Sequence, residues 1–414
     1  MKRKRVELLS PAGSYESLQA AICAGADAVY FGVEQLNMRT RSSHSFTIPD
    51  IQRIGAICRE AVVKCYITLN TVMYDHDMQL LKAILREVKE CHVDAVIASD
   101  MAVINYCRQM SIPLHISTQA NISNVEAVQA YSGFADVMVL ARELTLNQIG
   151  KITREVKRKK IMGPSGDLVR IEIFIHGALC MAISGKCYLS LHTQNASANR
   201  GACVQNCRRP YRVIDAELGE ELLINNQYIM SPKDLCTIDL LDQVMSSGAD
   251  VLKIEGRSKG ADYVQVVTQC YREAIDAIYN NSYTPDKIAV WKQELAKVYN
   301  RGFWEGYYLG RKFGEWTSHP GSAASERKIY AGKGTNYYPR IGIGEFLIEA
   351  GSIKAGDTLM TTGKHFGVLK EKLERLCVNG KECKEAVKGD RVTFPVPAKL
   401  SPGDRLYKIV TEDA

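Results

Sequence analysis

From its start to about residue 280, the chain alternates short β-rich apolar runs with stretches in which apolar residues recur at helical spacing. Each run ends in polar or glycine residues, and this punctuation supports a strand followed by a helix. The predicted strands are residues 6–9, 28–31, 65–68, 95–98, 114–117, 137–140, 171–175 and 251–254. Predicted helices between them include residues 15–23, 50–61, 76–91 and 147–157.

Three of the predicted strands follow a turn of small residues and an aspartate, at Asp27, Asp94 and Asp250. In two of the three, a glycine (Gly25 or Gly248) ends the preceding helix, and the strand then begins as a nearly continuous apolar run. This pattern is typical of parallel sheets that are buried on both faces. Eight such units in about 280 residues predict an α/β fold, a (β/α)8 TIM-like barrel, in preference to an open doubly wound sheet.

The seventh unit contains a long insertion. Between Ile175 and Val251 the expected short loop is replaced by a segment, residues 177–236, that carries five of the cysteines. Long loops inside a compact domain are usually functional. In a barrel this insertion leaves the carboxyl end of a strand, which is the face where active sites are built.

The character of the chain changes after residue 281. Residues 286–299 form one more predicted helix, and an aromatic, glycine-rich segment follows at residues 301–307. From residue 330 onward, short strands alternate with Gly-Asp turns, the signature of a small all-β barrel. We therefore predict a barrel domain at 1–281, a helical and aromatic linker at 282–329, and a small β-barrel domain at 330–414.

Composition narrows the class of protein. The 414 residues are 46% hydrophobic and 24% charged, which is ordinary for a globular protein of two or three domains. No apolar run approaches about 18 residues, and the basic start lacks an apolar segment, so we expect a cytoplasmic protein without a membrane span. The net charge of +7 permits an anionic partner such as nucleic acid but does not demonstrate one.

The cysteines divide into two groups. Thirteen is an odd number, and disulfides are rare in the cytoplasm, so a disulfide framework is not expected. Eight cysteines lie mostly in helical or strand patterns and are predicted to pack as small apolar residues. The other five, in the spacing C-x6-C-x15-C-x3-C-x28-C, lie among Gly, Asn, Arg and Ser and favour a metal site. The spacing matches neither zinc ribbons nor bacterial ferredoxins, so zinc and iron–sulfur both stay open.

Residues 172–190 resemble the signature of peptidase family U32. The likeness extends along the chain to residues 231–236 (Ser-Pro-Lys-Asp-Leu-Cys) and to the C-terminal β module. The family includes RNA and quinone hydroxylation proteins, and this chain most resembles the bacterial tRNA hydroxylation proteins, which form 5-hydroxyuridine at the wobble position in a prephenate-dependent way. The resemblance implies a 4Fe–4S cluster held by Cys180, Cys187, Cys203 and Cys236, with Cys207 as a rival ligand.

Two other functions remain open. The family name suggests a collagenase-like peptidase, and a Cys180–His176 dyad would supply a nucleophile and its base. The sequence contains no H-E-x-x-H or G-x-S-x-G motif, and a thiolate bound to iron is not free to act as a nucleophile. A zinc-stabilised, non-catalytic RNA-binding protein is the third hypothesis.

The remaining candidate residues lie at strand ends or beside the cysteines. His176 and Glu255 are the catalytic candidates. Prephenate has two carboxylates, which suit bidentate arginines, and the candidates are Arg39, Arg142 and Arg257. Glu7 and Lys253 are further polar strand-end candidates, and an ion pair between Lys253 and Glu255 inside the barrel is the structural alternative to a functional role for these two residues. The basic residues predicted to bind tRNA phosphates, or else to neutralise the thiolates, are Arg200, Arg208, Arg209 and Arg212. The sequence does not identify an electron donor.

Overall fold

The structure, a computed structural model, describes residues 5–39, 46–219, 221–222, 228–310, 314–318 and 321–411. Most of the basic start, residues 1–4, lies outside the described residues. The first thirteen elements alternate strand and helix: β1 Glu7–Pro11, α1 Tyr15–Cys23, β2 Ala28–Gly32, α2 Ile48–Glu60, β3 Lys64–Leu69, α3 Met78–Glu90, β4 Ala95–Ala98, α4 Met101–Gln109, β5 Leu114–Ile116, α5 Val125–Ser132, β6 Val137–Val139, α6 Leu146–Lys159 and β7 Arg170–Gly177.

The cysteine-rich insertion follows β7. It contains α7 Leu189–Gln194, β8 Val213–Ile214, β9 Glu221–Leu222 and β10 Asp234–Cys236. The barrel then resumes with α8 Leu241–Ser246, β11 Val251–Ile254 and α9 Ala261–Tyr279, followed by α10 Pro285–Lys297 and β12 Phe303–Trp304. Strand β10 runs antiparallel to β7, pairing Cys236 with His176, and β12 runs parallel to β10. Residues after the last barrel helix thus add a strand to the edge of the barrel sheet.

The parallel sheet closes on itself. Strands β1 to β7 pair in chain order, and β11 pairs with both β1 and β7. The closing register aligns Val251 with Glu7 on one side and with Glu172 on the other. Alternate strand residues, such as Leu9 and Tyr30, fill the interior, while their neighbours pack against the surrounding helices. The predicted (β/α)8 barrel with an insertion after the seventh strand is confirmed.

The aspartates that precede several strands act as caps between neighbouring strands. The backbone N–H of Leu8 donates to Asp27, that of Cys65 to Asp94, and that of Ile171 to Asp250, at 2.8–2.9 Å. Each carboxylate satisfies a donor at the amino end of the barrel, where the ladder of backbone hydrogen bonds begins. This explains why the small-residue turn and aspartate recur in the sequence.

The C-terminal segment is an all-β module, as predicted. Its strands are β13 Glu326–Tyr338, β14 Ile343–Ile348, β15 Ser352–Lys354, β16 Thr358–Gly363, β17 Gly367–Lys372, β18 Leu376–Val378, β19 Lys381–Cys383, β20 Glu385–Val387, β21 Arg391–Pro395 and β22 Arg405–Thr411. Eight of them form an antiparallel sheet, and a stacked pair, Phe346 and Phe394, lies in its core. The module packs on α1 at Gly367, where a Cβ atom would lie 2.7 Å from the backbone nitrogen of Ala20.

None of the helices in the described part of the chain is long and apolar enough to cross a membrane.

Candidate functional site at the mouth of the barrel

A cavity of ≈ 90 Å³ lies at the carboxyl ends of the barrel strands. Glu255 and the three arginines predicted from strand ends, Arg39, Arg142 and Arg257, all line it. Cys180 lines it too, because the insertion folds over the mouth and places Gly185 against Gln119. The cavity therefore brings candidates from β2, β6, β11 and the insertion to one place.

Glu255 is the anionic centre of this cavity. Its Oε1 accepts two hydrogen bonds from Arg39, at 3.1 Å from Nε and 2.9 Å from Nη2, and the hydroxyl of Tyr30 lies 3.3 Å from its Oε2. Burial by itself would raise the pKa of Glu255, but the charges of Arg39, Arg142 and Arg257 lower it to about 2. Glu255 is therefore an anion at neutral pH, which makes it an anchor for arginines and a poor proton donor.

This ionised state predicts a pH dependence of stability. A carboxyl whose pKa falls from 4.5 to about 2 on folding stabilises the protein above pH 4.5, and the stabilisation is lost as the pH falls toward 2. Relative to Glu255→Gln, the wild-type protein should lose about 2 kcal/mol of unfolding free energy between pH 6 and pH 3. Urea unfolding at both pH values measures it. The exposed Glu385→Gln variant controls for loss of one carboxylate, and parallel pH curves for wild type and Glu255→Gln would contradict the assignment.

Two of the arginines keep a buried donor without a partner. Arg257 is 5% exposed and donates from Nη1 to Asn37 at 3.2 Å and Thr68 at 2.5 Å. Arg142 donates from Nη1 to the carbonyl of Ala178 and stacks 3.7 Å above the ring of Phe174. Within the described part of the chain, the Nε atoms of both arginines have no hydrogen-bond partner. Unsatisfied buried donors are costly, so the cavity is suited to an anion that accepts from them.

The alternative that Lys253 forms an ion pair with Glu255 is not what the structure shows. Lys253 donates to Glu172 at 2.7 Å inside the barrel. Glu7 is a strand-end candidate for the mouth of the barrel, but it lies at the opposite end. There it accepts hydrogen bonds from Tyr66, Lys64 and Arg170. Both partners are chosen by closure of the barrel rather than by nearness along the chain.

His176 is buried among aromatic rings and is not placed to act as a catalytic base. It is 1% exposed, its Nδ1 lies 3.4 Å from the hydroxyl of Tyr271, and the rings of Tyr263 and Phe303 surround it. Burial lowers its pKa to about 3, so it is a neutral and weak base at pH 7. In the described part of the chain, His176 and Cys180 share no hydrogen bond, and the predicted dyad is not assembled.

Cys207 lies near three of the other insertion cysteines. Burial raises the pKa of Cys207, Arg208 opposes this shift, and the thiols of Cys180, Cys203 and Cys187 raise it further. Cys207 thus lies within electrostatic reach of the other three. Arg39 connects this group to the cavity, because the charge of Glu255 and then those of Cys180 and Cys203 raise the pKa of its guanidinium.

Cys236 lies on β10, where it pairs with His176 of β7. It is 8% exposed, and its sulfur is 3.8 Å from the hydroxyl of Tyr271. Burial raises its pKa to about 11. Among charged side chains, Asp239 raises its pKa and Lys292 lowers it. The arrangement therefore favours Cys207 over Cys236 as the fourth member of the set, whereas the family resemblance implies Cys236.

The donor set suits a thiolate-bound metal cluster. Across the described residues, no group of three or more His, Cys, Asp or Glu side chains converges on a single metal ion. In a 4Fe–4S cluster each thiolate binds a different iron, so its four ligands stand farther apart than the ligands of one ion. Four neighbouring thiols beside Arg39 and Arg208 fit the charge and softness that such a cluster requires. The ligand set and the cluster stay predictions.

The four arginines predicted to bind RNA separate into two pairs. Arg200 bonds to Asp77 and stacks 4.0 Å over Tyr74, and Arg208 donates to Ser231, to the carbonyl of Pro232 and to that of Leu179. These two arginines therefore hold the insertion in place. Arg209 and Arg212 are exposed, and Arg212 lies 3.6 Å from Glu221.

Sequence reasoning missed a second cationic group beside the mouth. The ammonium of Lys259 lies 3.0 Å from the ring centre of Tyr299, and the guanidinium of Arg301 lies 5.1 Å from the same centre. Arg301 also donates to Asp234 at 3.3 Å. Burial, with the neighbouring charge of Arg301, lowers the pKa of Lys259 to about 7. The one indication of this group in the sequence is the position of Lys259, which follows the end of β11 by five residues.

Comparison with known proteins yields one family and two kinds of named relative. The model described as peptidase family U32 matches residues 13–318. A protein of Porphyromonas gingivalis named collagenase is 52% identical over 97% of this chain and 97% of its own length. A Bacillus subtilis protein named as a tRNA hydroxylation protein is 35% identical over 75% of this chain and 74% of its own.

A third relative, from Escherichia coli, is named as a 23S rRNA 5-hydroxycytidine synthase. It is 37% identical over 66% of this chain and 40% of its own length. The family resemblance predicted from residues 172–190 is confirmed. The names of the relatives divide between proteolysis and hydroxylation of RNA.

Proposed function

The chain belongs to peptidase family U32, and from that premise we propose that it hydroxylates a pyrimidine base of RNA, namely the wobble uridine of tRNA, to give 5-hydroxyuridine. The observation that carries the proposal is the joint lining of one cavity by Cys180, Glu255 and three arginines. Relatives named for tRNA and rRNA hydroxylation support the reaction class. Because the proposed substrate is tRNA, the proposal includes a cytoplasmic location for the protein.

The arginines support prephenate as the co-substrate. One carboxylate of prephenate would enter the cavity and meet the unpartnered Nε atoms of Arg142 and Arg257. A volume of ≈ 90 Å³ holds about three waters, so only a carboxylate-sized end of the molecule fits inside. The remainder would lie toward the loop that carries Cys180.

The thiols support an iron–sulfur cluster as the redox group. Cys180, Cys187, Cys203 and Cys207 would hold it, with Cys236 as the ligand that the resemblance implies in place of Cys207. When bound, the cluster supplies the electron transfer for which amino-acid side chains are poor agents. The chain itself contributes charge, because the guanidiniums of Arg39 and Arg208 lie within electrostatic reach of these cysteines, and His176 on β7 is enclosed by aromatic rings.

Proteolysis is the alternative that the name collagenase raises, and the site argues against it. A cysteine nucleophile needs a base within hydrogen-bond reach, yet His176 is enclosed by Tyr263, Tyr271 and Phe303. The chain should not cleave collagen peptides under conditions in which its cysteines are free. Cleavage that survives anaerobic removal of metal, and that is lost in Cys180→Ala, would overturn this conclusion.

The proposed function is tested by mass spectrometry of tRNA nucleosides. Cells that lack the gene, and lack any redundant hydroxylation pathway, should lose 5-hydroxyuridine and its derivatives, and the wild-type gene should restore them. Unchanged nucleosides in the deletion strain would sink the proposal. A protein purified anaerobically with zinc and without iron or sulfide would instead favour the zinc-stabilised, non-catalytic RNA-binding alternative.

A further inference from the structure

Apolar and aromatic side chains are exposed on the loop that closes over the cavity. Between Cys180 and the end of α7, the exposed ones are Met181, Ile183, Tyr188 and Leu191. Tyr188 has the largest exposed fraction, 69%, and directly follows Cys187. Side chains of this kind bordering a polar mouth indicate a surface that is covered when the protein works.

A second exposed aromatic residue belongs to the same rim. The backbone of Asn199 accepts from Val72, and its side chain accepts from the backbone of Cys187 at 3.4 Å, so Asn199 bridges the β3–α3 loop and the insertion. Two residues beyond Val72, Tyr74 is 51% exposed. The guanidinium of Arg200 stacks 4.0 Å from the centre of its ring and holds it in place.

The charge of the rim favours a polyanion as the partner. Residues 177–212 contain five lysines and arginines and no aspartate or glutamate. The side chains of two of these cations, Lys186 and Arg209, are exposed and form no hydrogen bond or ion pair within the part of the chain that the structure describes. Flat aromatic faces interleaved with unpaired cations match single-stranded nucleic acid, whose bases stack and whose phosphates are anionic.

We infer that Tyr188 and Tyr74 are stacking platforms for unpaired bases of the RNA substrate, and that Lys186 and Arg209 bind the adjoining phosphates. The inference rests on the proposed function, because it names the groups that hold the anticodon loop over the cavity lined by Cys180. Unpaired loop bases can be splayed out onto aromatic rings, whereas paired bases cannot. The rim therefore selects a loop rather than a duplex.

The test is binding of a fluorescently labelled tRNA anticodon stem-loop to the anaerobically purified full chain, measured by anisotropy. Tyr188→Ala should weaken binding about tenfold, and Tyr188→Phe, which keeps the ring, should bind as the wild type does. Lys186→Gln should lower the slope of log affinity against log salt by about one. Val62→Ser removes an apolar side chain that is 90% exposed at the opposite end of the barrel and should bind normally.

The outcomes separate this inference from the function on which it rests. Wild-type binding that Tyr188→Ala and Tyr74→Ala leave within twofold would overturn the platforms while leaving hydroxylation intact. A Tyr188→Ala variant that changes only the oligomeric state in light scattering would overturn them in favour of a protein partner. A wild-type chain that binds no RNA, together with unchanged tRNA nucleosides in the deletion strain, would sink both proposals.

Discussion

Replacing Cys207 by serine is expected to abolish iron binding, whereas replacing Cys236 by serine should leave it in place. The reason is position, because Cys207 lies within reach of the charges of Cys180, Cys187 and Cys203, whereas the sulfur of Cys236 lies 3.8 Å from the hydroxyl of Tyr271 on α9. Iron and sulfide analysis of anaerobically purified protein should give about four irons per chain for the wild type and Cys236→Ser. Cys207→Ser should contain little iron and should not restore 5-hydroxyuridine in a deletion strain.

The buried Cys107→Ser variant serves as the control for loss of a thiol outside the insertion. The reverse result, with iron lost in Cys236→Ser and retained in Cys207→Ser, would show that the ligand set implied by family resemblance is right and that β10 turns its cysteine toward the cluster. Equal iron content in both variants and in the wild type would show that neither Cys207 nor Cys236 is individually required for metal binding.

Replacing Arg142 by methionine should weaken binding of prephenate at least about 30-fold. Methionine keeps apolar contact with Phe174 but removes the Nε donor, which has no protein partner, together with the hydrogen bond from Nη1 to the carbonyl of Ala178. Calorimetry under anaerobic conditions measures the dissociation constant. Phenylpyruvate, which has a single carboxylate, should bind more weakly than prephenate to the wild type and should lose less affinity in the variant.

Arg158→Met is the matched control, because Arg158 forms only an exposed pair with Glu155 on α6. An unchanged dissociation constant in Arg142→Met would exclude this cavity as the dicarboxylate site. A loss of affinity that is equal for prephenate and phenylpyruvate would show that Arg142 binds the carboxylate that the two share.

The barrel was predictable because its signal is local. A parallel strand buried on both faces carries an unbroken apolar run, and the aspartates that cap neighbouring strands recur beside these runs. The strand-end position of Arg39, Arg142 and Arg257 follows from the same pattern. Their convergence on one cavity does not follow from this local pattern, because it requires β11 to pair with both β1 and β7.

The side-chain partners were not predictable for the same reason. Lys253 lies two residues from Glu255 in sequence, and strand positions two apart face the same side, so spacing alone suggests a pair. The partner of Lys253 is instead Glu172 on the neighbouring strand, and the register of β7 and β11 shifts between Lys253 and Ile254. The exposure of Tyr188 and the enclosure of His176 likewise depend on how the insertion folds over the mouth.

By itself, the sequence determined the eight strands and their helices, the place of the insertion, the all-β module and the membership of family U32. These depend on periodicity and on continuous motifs, which are properties of neighbouring residues. Only the tertiary structure decided that Glu255 pairs with Arg39, that Glu7 lies at the far end of the barrel, and that Cys207 lies within electrostatic reach of Cys180, Cys187 and Cys203. Spacing along a chain cannot specify the direction of a side chain, which is set here by closure of the barrel and by the antiparallel course of β10.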